Sequence, residues 1–182
     1  EELAEYATVP VINGLTDDAH PCQTLADLLT IREHVGEFDE IQAAWVGDGN
    51  NVGQSFVQGC AMAGIDLTVA TPEEYAMDDE VIERAAELGQ VPTVTTDPEA
   101  AIADADVVYT DVWISMGQES ERHQKLQAFE GFQLNEELLA DTGAKVMHCL
   151  PAHRGEEITG DVLEGEDSLV WEQAENRLHA QK

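Results

Sequence analysis

What constrains this chain most is an alternation. Short apolar runs that read as strands recur along it, with helical stretches between them. The strand-like runs are residues 41–46, 66–70, 91–94, 106–109 and 145–148, and helix candidates occupy residues 51–63, 78–88, 98–103 and 135–140. Strands that alternate with helices bury their apolar faces best as a parallel sheet covered on both sides, so the fold class predicted is α/β with a doubly wound, Rossmann-like parallel sheet. Ahead of this pattern, residues 9–14 read as a short strand, followed by a polar loop at residues 15–20. Pro21 then suits the first helical position, and the spacing of Leu25, Leu28, Leu29 and Val35 predicts a helix to about Gly36. Residues 1–6 look like a helix already in progress, and the helical pattern from Val170 to Lys182 has no C-cap signal, so a piece of a longer polypeptide is expected.

In an open parallel sheet, ligands bind outside the carboxyl ends of the strands, which directs attention to the loops after these runs. The last run ends in His148-Cys149-Leu150-Pro151, where a thiol and an imidazole meet a Pro turn. Cys149 is the first candidate for a working residue; the alternative is a buried core pair, since Cys is among the most buried residue types. After the first run, Gly47-Asp48-Gly49-Asn50-Asn51-Val52-Gly53 has the outline of a dinucleotide fingerprint, but its third glycine is one place late. The next run starts with Asp66 and ends in Val69-Ala70-Thr71, so the acid that binds a ribose hydroxyl is missing, and no cofactor is expected. A turn that brings Asn50 and Asn51 to a helix start, where backbone N–H groups grip a carboxylate, explains these residues better.

Asp111-Val112-Trp113-Ile114-Ser115-Met116-Gly117 puts a carboxylate and a hydroxyl at a strand end, a pairing suited to holding a cationic amine. The alternative is an Asp that caps the following turn. The polar connection from here to Asn135 has the length of a lid or binding loop, or else is a solvated insertion with a short helix near residues 119–129. His20-Pro21-Cys22-Gln23 opens the first helix, a place for an anion; a solvent-facing start is the alternative reading. Arg177 is suited to an anionic ligand or to one of the many acids. Cys22, His148, Cys149 and His153 lack paired ligand spacing, so no metal is expected.

Taken in order, His20-Pro-Cys-Gln23, Gly47-Asp-Gly-Asn-Asn51, Asp111-x-x-x-Ser115-Met116-Gly117, His148-Cys149-Leu150-Pro151 and Glu175-Asn176-Arg177 resemble the ornithine carbamoyltransferase family over residues 9 to about 182. The resemblance implies transfer of a carbamoyl group from carbamoyl phosphate to L-ornithine, giving L-citrulline and phosphate. It implies that His20, Gln23 and Arg177 contact carbamoyl phosphate. It implies that Asn51, Asp111, Ser115 and Met116 hold the amino-acid end of ornithine, with Cys149 and the Leu150 carbonyl at the reacting amine. Cys149, Asp111 and His20 would be the catalytic set, Cys149 positioning the amine and removing its proton rather than forming a covalent intermediate. The family's Ser-Thr-Arg-Thr phosphate-gripping motif is absent, so the chain alone should be inactive. The implied domains are 1–19 as a remnant of the carbamoyl-phosphate domain, 20–36 as the linking helix and 37–182 as the ornithine domain. A homo-oligomer is implied as well, a trimer or a multiple of trimers. Aspartate carbamoyltransferase is the nearest rival but lacks the Ser-Met-Gly loop and the Cys of this turn; variants that act on putrescine or acetylated ornithine alter that loop. A non-enzymatic small-molecule-binding module is the rival of another class.

Charge sets the remaining bounds. Among 182 residues, 38 are Asp or Glu and 8 are Lys or Arg, a formal net charge of -30, while the 43% hydrophobic content is enough for a core. The acids therefore sit on a folded surface, and phosphate backbones lack the basic clusters they need, which excludes nucleic acid. No run reaches transmembrane length and the opening residues show no signal peptide, so no membrane partner and a cytoplasmic location are expected. Cys22, Cys60 and Cys149 have no framework spacing and are expected as reduced thiols. Self-repulsion at this charge opposes compaction unless it is screened, and the Debye length shrinks from roughly 10 Å at 0.1 M salt to roughly 3 Å at 1 M. Adaptation to a salt-rich, halophilic interior follows. The melting temperature should rise between dilute buffer and molar KCl; an equal or lower value in molar KCl refutes the adaptation.

Overall fold

The computed structural model describes residues 2–114, 120 and 122–182. Along them run α1 (Glu2–Tyr6), α2 (Pro21–His34), β1 (Gln42–Val46), α3 (Asn51–Ala63), β2 (Asp66–Ala70), α4 (Asp79–Leu88) and β3 (Thr93–Thr95). There follow α5 (Pro98–Ile102), β4 (Val107–Thr110), α6 (Arg122–Ala128), α7 (Glu136–Leu139), β5 (Lys145–His148), α8 (Gly160–Leu163) and α9 (Val170–Gln181). The strands form one parallel sheet in the order β3-β2-β1-β4-β5. The chain builds outward from β1 to β3, then returns to add β4 and β5 on the other side. Strand order therefore reverses between β1 and β4, where Trp45 lies opposite Tyr109; in open parallel sheets the crevice beyond the carboxyl ends at such a reversal is where ligands bind.

Local chemistry explains the boundaries. Asn50 caps α3 by accepting hydrogen bonds from the backbone N–H groups of Val52 and Gly53, and Gly64 ends that helix in the left-handed conformation. Asp97, Asn135 and Thr159 cap α5, α7 and α8 in the same side-chain manner. The third strand begins at Thr93, later than the apolar run starts, because Pro92 has no N–H to give a ladder.

Two apolar layers enclose the sheet. On one face Trp45, Tyr109 and Met147 pack under Phe56 and Cys60 of α3 and Val81 and Ala85 of α4. On the other, Ala44, Val108 and Val146 pack with Ile102, Phe129, Leu134, Ile158 and Leu163. The ring of Tyr109 stands edge-on to both Trp45 and Phe56, each pair of centroids 5.0 Å apart. Gly53 lets α3 settle on this cluster: a Cβ there would lie 2.7 Å from the Trp45 indole and 2.7 Å from the Met77 methyl. The displaced third glycine of the fingerprint-like turn thus serves helix packing.

Two expectations need correction. Residues 9–13 form no strand; Val9 and Ile12 are exposed, and no neighbouring strand among the described residues takes their backbone hydrogen bonds. In α2 the helix is where the apolar spacing puts it, but Leu25 is 56% exposed while Gln23, Thr24, Ala26, Asp27, Thr30 and Ile31 face inward. The reason is the partner: α2 packs along α9 through a polar seam in which Asn176 donates to Thr30 Oγ1 at 3.0 Å and Glu33 at 3.0 Å. No helix among the described residues is long and apolar enough to cross a membrane.

Gly53→Ala should lower unfolding free energy by about 1–3 kcal/mol, the usual cost of forcing a methyl into a filled core. Urea denaturation in molar KCl checks this, and an unchanged midpoint would mean that the Trp45 contact is not tight.

Candidate functional site

Three strand ends deliver polar groups to the crevice. Asp111, one residue beyond β4 and 6% exposed, accepts a hydrogen bond from Asn50 Nδ2 at 2.8 Å on Oδ2 and one from the Cys149 thiol at 3.0 Å on Oδ1. The other end of the Asn50 amide caps α3, so its NH2 has one direction to point. Thr110 Oγ1 donates to the Val46 carbonyl at 2.6 Å, which ties the ends of β4 and β1 together directly below the site.

Burial pushes the Cys149 thiol well above its ordinary range, and the Asp111 charge and hydrogen bond push it further in the same direction. Cys149 is therefore the donor of this hydrogen bond and Asp111 the acceptor. Below them the buried Tyr109 hydroxyl feels Asp27, Cys149 and Asp111 without a partner in hydrogen-bond geometry.

His148 and Cys149 divide the two readings of their turn between them. The His148 ring is fully buried: Nδ1 accepts the Leu150 N–H at 2.9 Å, so the proton sits on Nε2, which faces Glu157 Oε1 at 3.1 Å. The His153 N–H also reaches that oxygen, at 2.6 Å. His148 thus braces the turn while Cys149 faces the crevice. Leu150 adopts φ 60°, a left-handed conformation that a side chain disfavours, and the Leu150–Pro151 peptide is cis. Asp111, His148 and Cys149 place metal-ligand atoms within 4.8 Å of one another, but both imidazole nitrogens already have partners. Cys22 donates to the Asn13 carbonyl and belongs to no such group among the described residues.

Opposite this acidic pole lies a basic one at the start of α2 and within α9. Arg177 donates to Gln23 Oε1 at 2.6 Å, and the Gln23 NH2 donates to Asp27 at 2.8 Å. Six of the cations, Arg32, Arg84, Arg122, Lys125, Lys145 and Arg154, form ion pairs with carboxylates. Arg177 pairs with none among the described residues, and its Nε is buried without a partner, as is His20 Nδ1. Burial lowers the His20 pKa, and the Arg177 charge lowers it further while Asp111 raises it, so His20 stands within reach of both poles. An orphaned, buried guanidinium N–H is what an anion would satisfy.

Asn51 turns its amide to the Thr16 carbonyl at 2.7 Å, so of the two asparagines it is Asn50 that meets Asp111. Ser115 and Met116, with Gly117, lie outside the described residues. Lys125, on α6, is 2% exposed. Its ammonium donates to Asp48 at 2.5 Å and to the Trp113 carbonyl at 2.8 Å, and sits 5.0 Å over the Tyr75 ring. A cleft of about 510 Å³ lined by Glu99, Ile102, Leu138 and Thr142 contains none of the site residues.

Reasoning from sequence missed Asn50 as the partner of Asp111, Lys125 with Asp48, and Asp27 with Gln173. The signal for Asp27 was its place four residues after Gln23, one helical turn on. Gln173 stands in the same relation to Arg177.

Residues 39–182 match the family model described as aspartate/ornithine carbamoyltransferase, Asp/Orn binding domain, and residues 1–33 match that of the carbamoyl-P binding domain. The ornithine carbamoyltransferase of Haloquadratum walsbyi is 68% identical over 181 residues, and that of Methanoculleus marisnigri 54% over 184, each match covering 100% of this chain. The chain spans 60% of the length of those curated relatives. The solved ornithine carbamoyltransferase from Pyrococcus furiosus superposes with a TM-score of 0.92 at 52% identity, covering 99% of this chain and 59% of that one. The enzyme from Thermus thermophilus gives 0.87 at 44% identity, covering 98% and 58%.

The thiol chemistry can be checked directly. Because Asp111 raises the Cys149 pKa, Asp111→Asn should lower it, enlarge the thiolate fraction and speed alkylation at Cys149 several-fold at pH 8. Peptide mapping after timed iodoacetamide labelling reads this out, and slower labelling would reverse the sign of the coupling.

Proposed function

The chain belongs to the aspartate/ornithine carbamoyltransferase family, and on that ground we propose that it works as an ornithine carbamoyltransferase. The observation that carries the reading is the pair of opposed poles at one end of the sheet: Asp111 with Asn50 and Cys149, and Arg177 with Gln23 and His20. A diamino acid and an acyl phosphate have complementary charges. An acidic pole attracts the ammonium groups of ornithine and would repel the side-chain carboxylate of aspartate, which is the reason to prefer ornithine within the family.

In the proposed reaction the side-chain amine of ornithine, freed of its extra proton, attacks the carbonyl carbon of carbamoyl phosphate. The new C–N bond forms, the bond between that carbon and the bridging phosphate oxygen breaks, and the proton lost by nitrogen leaves with the phosphate, so citrulline and hydrogen phosphate result. Arg177 and His20 face the charge that grows on the acyl and phosphate oxygens, and Gln23 fixes the guanidinium. Asp111, Asn51, Ser115 and Met116 hold the amino-acid end. Cys149 and the Leu150 carbonyl position the reacting amine, and holding two substrates in line supplies much of the rate.

The proposed division is residues 1–19 with the carbamoyl-phosphate domain, 20–36 as the linking helix and 37–182 as the ornithine domain. The proposed assembly is a trimer or a multiple of trimers in the cytoplasm, with exposed apolar residues such as Tyr6, Ile12 and Trp171 available for burial.

The test is citrulline formation in molar KCl by a polypeptide that carries both family domains in full. Asp111→Asn should raise the ornithine KM by about 10- to 100-fold, the weight of a hydrogen bond to a charged group, with the carbamoyl phosphate KM within about twofold. A loss confined to carbamoyl phosphate would reverse the assignment of the poles, and no citrulline from the wild type would remove the reaction.

A further inference from the structure

The seam between α2 and α9 holds a carboxylate that the reaction leaves without a role. Asp27 is fully buried, and its Oδ1 accepts two hydrogen bonds, from Gln23 Nε2 at 2.8 Å and from Gln173 Nε2 at 2.7 Å. The far ends of those two amides diverge. Gln23 Oε1 accepts from the Arg177 guanidinium at 2.6 Å, while Gln173 Oε1 accepts from the His148 backbone N–H at 2.9 Å.

The polarity of this relay is fixed at every end. A guanidinium and a backbone N–H only donate, and an ionised carboxylate only accepts, so neither glutamine amide can turn over without setting like groups against each other. Asp27 is where both chains of hydrogen bonds end. One chain starts at the cation of the basic pole, the other at the residue before Cys149 in the acidic pole.

We infer that Asp27 is a positioning residue that holds the Gln23–Arg177 pair and the His148–Cys149 turn in register through its shared Oδ1. This rests on the reading of the two poles as carbamoyl phosphate and ornithine subsites. Burial pushes the Asp27 carboxyl up to about 7, against the opposing effects of Gln23, Gln173, Tyr109 and Arg177. A protonated carboxyl still offers a carbonyl oxygen to both amides, so the role lies in the acceptor geometry rather than the charge. The relay is also costly to break, because removing the acceptor strands two buried NH2 groups at once.

The experiment compares Asp27→Leu, Asp27→Asn and Gln173→Met in the polypeptide that carries both domains, in molar KCl. Two readouts are taken: the kinetic constants, and the rate of iodoacetamide labelling at Cys149. Asp27→Leu should raise the carbamoyl phosphate KM and lower kcat, each by about tenfold or more, and should speed labelling by about threefold or more. Asp27→Asn keeps a carbonyl oxygen in the same place and should recover most of both losses. If Asp27→Asn is as impaired as Asp27→Leu, or if Asp27→Leu matches the wild type in both readouts, the inference is overturned.

Should Asp27→Leu not fold, Gln173→Met cuts one arm only. It should speed Cys149 labelling and lower kcat while the carbamoyl phosphate KM stays within about twofold. Unchanged labelling, or an equal rise in both KM values, overturns the inference. A wild type that makes no citrulline overturns the reaction reading alone, since the labelling comparison still decides the relay.

Discussion

The carboxylate of Asp111 receives hydrogen bonds from loops that follow two other strands, and a buried charge of this kind survives only if both donors arrive. That requirement propagates downward. Asn50 reaches Asp111 because α3 begins immediately after the β1 turn, and α3 begins there because Asn50 itself caps it. β4 delivers Asp111 beside that turn because Thr110 is bonded to the Val46 carbonyl. Under both, the Trp45, Tyr109 and Phe56 rings fix the spacing of strand and helix, and Gly53 removes the one methyl that would hold them apart. Core packing and site geometry are one set of contacts here, seen from below and from above.

Electrostatics gives this arrangement its direction. With 38 Asp and Glu against 8 Lys and Arg, the default fate of a cation in this chain is an ion pair. The positions of Lys125 and Arg177 are informative for that reason. Lys125 is buried against Asp48, and a buried pair is weak as a source of stability because both charges must be stripped of water. What it provides is position: its other bond goes to the Trp113 carbonyl, so Trp113 and α6 are both held close to Asp48. Arg177 instead meets an amide oxygen, which orients the guanidinium without neutralising it. A fully charged, oriented group with an unpaired Nε is suited to an anion in a way that a salt-bridged one is not.

How much of this could be read in advance differs from element to element. Helix α3 and strand β5 fall at the residues that the pattern marks, because each is bounded by strong local signals: the Asn50 cap and Gly64 for one, Gly143 and Pro151 for the other. Asp111, Cys149, His20 and Gln23 were visible as residue types at strand or helix ends, and Arg177 as a cation within the last helix. The buried face of α2 was not. Leucine spacing ordinarily marks the inward side, but the partner of this helix is α9, and the contacts with Gln173 and Asn176 join residues more than a hundred positions apart, which no local pattern records. The choice of Asn50 over Asn51 was also hidden, since the two differ only by the rotation of a helix start. The protonation of Cys149 needed burial and the distance to Asp111, neither of which is a property of the sequence alone.

The Cys149–Asp111 contact keeps the buried carboxylate partnered. A buried carboxylate needs a partner, and a thiol is a weak donor that gives way easily. An ammonium arriving at Oδ1 would replace that weak bond with a charge-assisted one, so the exchange favours the ligand. The same exchange alters the thiol. The field and hydrogen bond of Asp111 add to burial in holding Cys149 protonated, and a cation between them cancels much of both, leaving desolvation as the main brake. A cysteine at this position thus eases toward ionisation as a cation nears Asp111, which a serine, with its far higher pKa, would not do.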